Sequence, residues 1–349
     1  MIKSLVPHAL RVLAERQLLI TFIDVGARNG TLELKDIAPF VELHGFEPNP
    51  TEYEKLLTGK TDHFIAHGTG PPPFRKLSYW PYALADFSGR HEFFLTPSPG
   101  ASGMLEPNVE RLAEFAWEGS YRKQSASQMF IGSKKIEVDV RTLDEFVSEQ
   151  GLGSLDYLKI DVEGSEYEVL RGGRGILPHT GVIRVETCFI PARKGQKLFS
   201  HVDLFLREFG FDLLRYEICP EQVGYKERSC PIEFLPPTGR FPDPYGQPFC
   251  CDAIYVNREI ADPDRALAQS IVLMERNYLD EALHIVKAKT TLRDPELLEL
   301  LRTAQNGGVG QRVRMAGYRM IDAIVNTSAR LAYASRRAIM GQGRRGRTP

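Results

Sequence analysis

The apolar positions of this 349-residue chain change period along its length, and the changes mark out its elements. An amphipathic stretch to about Gln17 predicts an N-terminal helix. Residues 19–25 (LITFIDV) are a continuous apolar run, as a strand buried on both faces of a parallel sheet requires. Val41–Phe46 is a second strand, closed by the turn string EPNP (47–50). Residues 77–84 and 91–96 read as a strand pair joined through Asp86, Ser88 and Gly89. Residues 136–140 alternate as a strand, and Thr142 with Glu145 predicts a capping box that opens a short helix. Leu155–Ile160 is another buried strand. Ser165 with Glu168 repeats the capping pattern, and Gly172 and Gly173 stop that helix. Residues 182–186 form a further strand, and 198–209 an amphipathic helix stopped by Gly210. Phe211–Ile218 and 249–256 are two strands joined by a Pro-rich loop.

Alternating strands and helices predict an α/β, Rossmann-like sheet with helices on both faces. The closing strand pair, with no helix between, predicts one antiparallel member in a mostly parallel sheet. From Asp264 onward the strand signal vanishes and 265–276, 278–289 and 296–303 read as a helical array. NYLDEAL (277–283) resembles one unit of a helical hairpin repeat, but a single copy is no repeat, so a packed helical extension is expected. NGGVG (306–310) is a hinge. The expected divisions are 1–258, 262–305 and 311–349. The long stretch 97–135, with Trp117 and Tyr121, is expected to act as a lid over a cleft.

Hydrophobic residues at 42% and charged residues at 26% exclude wholesale disorder. The net charge of −1 hides a split. From Val309 onward nine arginines stand against one acid, Asp322, a net +8 that leaves −9 for the residues before. On a helical wheel Arg312, Arg319, Arg330 and Arg337 fall within about 20° of one another, opposite Val313, Ile321, Ile324 and Leu331. This basic amphipathic helix is expected to dock on the acidic body, within one chain or in a homodimer. The second reading is contact between 311–349 and an anionic membrane surface or a lipid-linked glycan. Nucleic acid is not expected, because no recognisable binding motif accompanies the charge. Five cysteines in a chain this long exclude a disulfide scaffold. A zinc site from Cys219, Cys230, Cys250 and Cys251 lacks a CxxC pair and a companion histidine, so buried reduced thiols are expected. Arg11, Glu15 and Arg16 interrupt the N-terminal apolar run, and no run of about 18 apolar residues exists. A soluble, cytoplasmic protein is expected, with the tail as its route to a membrane periphery.

The candidate chemistry lies at strand ends. FIDVGARNG (22–30) ends the first strand with Gly26 and Gly30, which let a ligand approach the backbone. The spacing is not GxGxxG, and Asp24 suits a ligand carrying a cationic amine better than a pyrophosphate. Glu47, twenty-one residues after Gly26, is placed to accept ribose hydroxyls. Asp86 is placed either to meet an adenine amino group or to cap its own turn. In LDYLKIDVEGSEYEVLRGG (155–173), Lys159, Asp161 and Glu163 are spaced two apart and can converge on one cleft. Crowded carboxylates raise one another's pKa, which suits a general base near neutral pH; with Glu186 they can equally hold a divalent ion. Glu163 can also serve only the following helix N-terminus.

In this order and spacing FIDVGARNG, FEPNP, ALADFSG, VRTLDEF, LKIDVEGSEYEVLRGG and YGQPFCCDAIYV resemble the FkbM-type methyltransferases, over roughly residues 20–257. The resemblance implies a class I fold using S-adenosylmethionine and O-methylation of a hydroxyl on a sugar or polyketide-like product. It implies that Asp24, Gly26, Ala27, Asn29 and Gly30 bind the methionine end, Glu47 the ribose and Asp86 the adenine. Asp161, Glu163 and Glu186 then face the substrate, and Asp161 also borders the cofactor. Arg28 within the glycine turn, Pro71–Pro73 and the long 97–135 stretch depart from the family's pattern. The expected activity is O-methylation of a saccharide or glycosylated metabolite, with Asp161 as base, directly or through a metal. The alternatives are N- or carboxyl-methylation on the same fold, or a cofactor-binding scaffold without catalysis.

Overall fold

The computed structural model describes residues 6–117, 125–218, 222–225 and 247–289. The basic tail, the helix expected at 296–303, Tyr121, Cys219 and Cys230 lie outside them. Helix α1 (Val6–Glu15) leads into β1 (Ile20–Val25), β2 (Val41–Phe46), α2 (Pro50–Thr58), α3 (Asp62–Ala66) and β3 (Lys76–Trp80). Then come β4 (Ala83–Ala85), β5 (Gly89–Leu95), α4 (Val109–Ala113), β6 (Phe115–Trp117), β7 (Lys134–Thr142) and α5 (Leu143–Glu149). Next are β8 (Leu155–Ile160), α6 (Glu166–Arg171), β9 (Thr180–Cys188), α7 (Phe199–Arg207) and β10 (Phe211–Ile218). The described chain ends with β11 (Gln222–Tyr225), β12 (Gln247–Pro248), β13 (Cys250–Asn257), α8 (Pro263–Glu275) and α9 (Leu279–Lys289).

The central sheet has seven strands in the order β10-β13-β9-β8-β1-β2-β3. Only β13 runs antiparallel to its neighbours, as the missing helix between the last strands predicts. Its apolar runs are buried from both sides. Ile23 and Val25 of β1, Leu158 and Ile160 of β8, and Ile183 and Val185 of β9 join one core with side chains from α5, α6 and α7. Each such side chain removed from water contributes about 1.5–3 kcal/mol. Strand order reverses between β1 and β8, because the chain steps outward through β2 and β3 one way and through β9 the other. A cleft opens at the carboxyl ends there.

Two expectations change in three dimensions. Residues 77–84 and 91–96 do not pair with each other. Lys76–Trp80 forms the edge of the central sheet, while β4 and β5 flank β7 in a separate three-stranded sheet, parallel and antiparallel to it. The break follows Pro81, which has no N–H to continue a ladder. Nor does the boundary expected near residue 260 divide the described chain, since the described residues from Ala9 onward form one compact unit. Helix α8 is buried from Ala266 to Met274 and packs on β8 and β9. Arg265 of α8 reaches the buried Asp156 at 3.0 Å, while Asp156 accepts the N–H of Thr21 at 2.8 Å.

The stretch after β5 is more than a loop. Ala101, Leu112, Phe115, Ala126 and Phe130 build a small core of their own with Ile190 and Ala192. Cys188, Cys250 and Cys251 are buried. No described helix is long and apolar enough to cross a membrane.

Candidate active site

Two turns at the carboxyl ends of β1 and β8 form the floor of the cleft. After β1, Gly26 takes φ 83° and its N–H donates to the Phe46 carbonyl of β2 at 3.1 Å. A Cβ at Gly26 would stand 1.8 Å from the Asp161 carbonyl oxygen, so both backbone angle and contact demand glycine. After β8, Glu163 adopts φ 61° and Gly164 φ 118°. A non-glycine residue in that region costs about 1–2 kcal/mol and marks a place where side-chain direction matters. The bend aims the N–H groups of Val162 and Gly164 at Glu166 Oε1, at 3.2 and 2.8 Å. Glu166 thereby takes the work expected of a Ser165–Glu168 capping box, which does not form because Ser165 makes no side-chain cap.

Between these turns lies a cavity of about 230 Å³. Gly26, Arg28, Asn29 and Glu47 line one side and Lys159, Asp161, Glu163 and Glu186 the other, with Ser102 and Met104 opposite the sheet. Glu47 is buried, its Oε1 accepts the Asn49 N–H at 2.8 Å, and burial pushes its carboxyl up to about 7. Asn29 Oδ1 is a buried acceptor with no hydrogen-bond partner among the described residues. Arg28 points its guanidinium to Glu52 at 3.2 Å while bordering the cavity.

Other expected residues stand further back. Asp24 lies beneath the floor, where its Oδ1 accepts from Lys159 Nζ at 2.9 Å. Burial raises the Asp24 carboxyl, and the lysine opposes that rise. Burial also works against the charge on Lys159, but Asp24 and Asp161 more than offset it and hold the amine protonated. Ala27 is fully buried, and Gly30 lies against the Phe64 ring and outside the cavity wall. Asp86 pairs with Arg171 at 3.1 Å and is absent from the lining, because β4 leaves the central sheet and carries it away.

The structure adds Arg193, which nothing in the sequence distinguishes from other loop arginines. It is fully buried, and its Nη2 donates to the Ala101 carbonyl at 2.7 Å and to Glu163 Oε2 at 3.2 Å. Gly164 makes room for it, since a Cβ there would approach Arg193 Cγ to 2.8 Å. Desolvation in the cleft raises the Glu163 carboxyl, and Asp161 and Glu166 add to the rise against the pull of Arg193. Carboxylate oxygens of Asp161, Glu163 and Glu186 lie within 4.8 Å of one another, a spacing that admits a divalent cation. Lys159, 3.7 Å from Asp161, and Arg193 already bring two positive charges to this group.

The Methyltransferase FkbM domain matches residues 24–213, from the end of β1 into β10 and across every strand-end turn just described. The chain belongs to the FkbM methyltransferase family. The 2-O-methyltransferase NoeI of Sinorhizobium fredii is similar at 26% identity, over 47% of this chain and 61% of that protein. Methyltransferase sdnD of Sordaria araneosa is similar at 26% over 58% and 78%, and the 31-O-demethyl-FK506 methyltransferase FkbM of Streptomyces tacrolimicus at 29% over 43% and 57%. This FkbM-family chain thus spans under two thirds of the length of two of these relatives. Among solved structures, the methyltransferase domain of bacterial CtHen1-CN is similar at a TM-score of 0.27 and 10% identity, over 73% of this chain and all of that one.

Proposed function

We propose that this chain is an S-adenosylmethionine-dependent O-methyltransferase whose acceptor is a hydroxyl of a saccharide or glycosylated metabolite. The observation that carries the reading is a single cavity with a ligand-holding turn on one wall and a carboxylate of raised proton affinity, Glu163, on the other. The residues present fit the cofactor. Asn29 Oδ1 offers an unused buried acceptor for an ammonium group, and Glu47 offers oxygens for ribose hydroxyls. When bound, the cofactor supplies an electrophilic methyl on a sulfonium.

What the protein must then do is modest. It holds an acceptor oxygen in line with the methyl carbon and removes the hydroxyl proton as the oxygen–carbon bond forms and the carbon–sulfur bond breaks. Glu163 is the base in this reading, because desolvation in the cleft raises its carboxylate's appetite for that proton. Asp161, fixed beside Lys159, borders the cofactor side. Two of the relatives carry O-methyl transfer in their names, which favours oxygen over nitrogen as the acceptor atom.

Glu163→Gln is expected to lower kcat by about 10²–10⁴-fold and abolish the rise of rate with pH, while S-adenosylhomocysteine affinity stays within about threefold. The Asp161→Asn variant is expected to weaken cofactor binding as well. Transfer of a tritiated methyl to glycan extracts, with calorimetry of S-adenosylhomocysteine, measures both. An unchanged pH–rate profile in the Glu163 variant refutes its role as base.

A further inference from the structure

A second cavity, of about 420 Å³, is lined by residues 30–36 of the loop after β1. Asn29, one residue earlier in that loop, lines the cleft described above, and Lys159 stands in the walls of both cavities. Arg184 of β9 also lines the second cavity, as do Glu275 and Arg276 at the C-terminal end of α8. The transfer chemistry makes no use of this space.

Arg276 is the lining residue whose place the fold does not explain. An arginine at a helix C-terminus ordinarily donates to the last carbonyls of its helix, yet the Arg276 side chain makes no hydrogen bond among the described residues. Its Nε is buried and unpartnered, and among the described residues only Glu33 Oε2 lies within ion-pair reach, 3.3 Å from Nη1. That carboxylate is already engaged. Its Oε1 accepts from Arg184 Nη1 and its Oε2 from the Tyr157 hydroxyl, both at 2.5 Å. Arg184 has Asp252 as a second partner, 2.6 Å from its Nη2, and Lys159 has Asp24. Arg276 therefore keeps a planar set of donors unused, and Lys35 beside it in the lining is exposed, with no salt bridge among the described residues. The acids of the lining oppose an anion only weakly. Burial raises Glu275 to about 7, helped by Asp36 and opposed by Lys35, so near neutral pH it is partly protonated and can donate. Asp36 is exposed to water and salt that screen its charge.

We infer that this cavity binds an oxyanion, the phosphate or carboxylate end of a small metabolite, on Arg276 with Lys35 as the second cation. A guanidinium can meet two oxygens of one such group at once, and the cavity leaves room for the rest of a small molecule. The arginine is held ready, because α8 is buried from Ala266 to Met274 and packs on β8 and β9. A guest there touches the loop that carries Asn29 and the lysine that meets Asp24, so it bears on the cleft without entering it. The site does not rest on the O-methyltransferase reading.

Titration calorimetry of the full chain with inorganic phosphate, and separately with acetate, against chloride at equal ionic strength tests the site. The arginine-rich stretch from Val309 onward also attracts anions, so variants decide rather than binding alone. Arg276→Met is expected to weaken oxyanion binding about tenfold or more, and the charge reversal Lys35→Glu about fivefold or more. Lys134→Glu, at an exposed position of the separate three-stranded sheet, is expected to leave it within about twofold. Should Arg276→Met not fold, the exposed Lys35 position decides alone. The tighter of the two probes names the source of the oxyanion. Binding of neither probe, binding that survives Lys35→Glu, or an equal loss in the Lys134 variant overturns the site.

Discussion

Gly26 is where a single methyl group does most harm. Its Cβ would collide with the Asp161 carbonyl at 1.8 Å in a backbone region already closed to other residues. Gly26→Ala is expected to cost about 3 kcal/mol or more, read as a lowered melting temperature that S-adenosylhomocysteine no longer raises. The importance of that glycine was legible in FIDVGARNG, but its reason was not, because the carbonyl it faces is 135 residues away. The same limit explains Asp24, Asp86 and Arg193. Sequence placed the first two in the cofactor wall, where the structure pairs them with Lys159 and Arg171, and it had no means of seeing the third. Nearby charges also bear on metal dependence. With Lys159 and Arg193 already against Asp161 and Glu163, methyl transfer is expected to persist in EDTA; activity that vanishes with chelation and returns with magnesium would favour a bridging cation.

The β8–α6 turn and the β8–α8 contact are the connections most open to test. Glu166 is the acceptor for two N–H groups of the turn that presents Glu163. Glu166→Ala is expected to lower kcat at least tenfold and to destabilise the fold by about 1–3 kcal/mol, whereas Glu166→Gln, keeping an oxygen there, should recover most of both. Arg265 similarly compensates Asp156, whose charge is otherwise buried, so Arg265→Met is expected to cost about 3 kcal/mol by chemical denaturation. Local signals forecast these elements unevenly. The Thr142–Glu145 capping box forms as its spacing predicts. The Ser165–Glu168 one fails because two left-handed residues before α6 redirect the donors, and no pattern of side chains announces that bend. Buried strands were plain from their apolar runs, but which strand β4 and β5 would accept as a partner depended on residues some fifty positions later.

For the molecule as a whole, buried ionisable groups set opposing demands on pH. Burial raises Glu47 and Glu166 to about 7 and Asp156 to about 6, from ordinary values of 4.5, 4.5 and 3.8. These groups bind protons more tightly folded than unfolded, so their contribution to stability is lost as pH rises through about 7. His44 works the other way. It is fully buried between Trp80 and Phe146, and burial, helped by Lys76, lowers it from 6.5 to about 4. Its contribution is present above about 6.5 and disappears as pH falls toward 4. With three raised acids against one lowered imidazole, the melting temperature is expected to fall as pH rises from about 4.5 to about 7.5, and His44→Phe to steepen that fall below about pH 6.5; a melting temperature that rises across this range contradicts this. Catalysis, needing Glu163 ionised, is expected to climb on the alkaline side where stability declines.

The separate small core around Phe115 and Phe130 has a consequence for descent. Donor-side geometry is locked, since the β1 turn and the β8 turn touch through Gly26 and neither can shift alone. The facing wall has an apolar cluster of its own, joined to β5 and to the loop after β9 through Gly103, Asn108 and Arg193, so within that frame it can be varied or lengthened without disturbing the strands. Lineages sharing this sheet are therefore free to diverge in what they methylate far faster than in how.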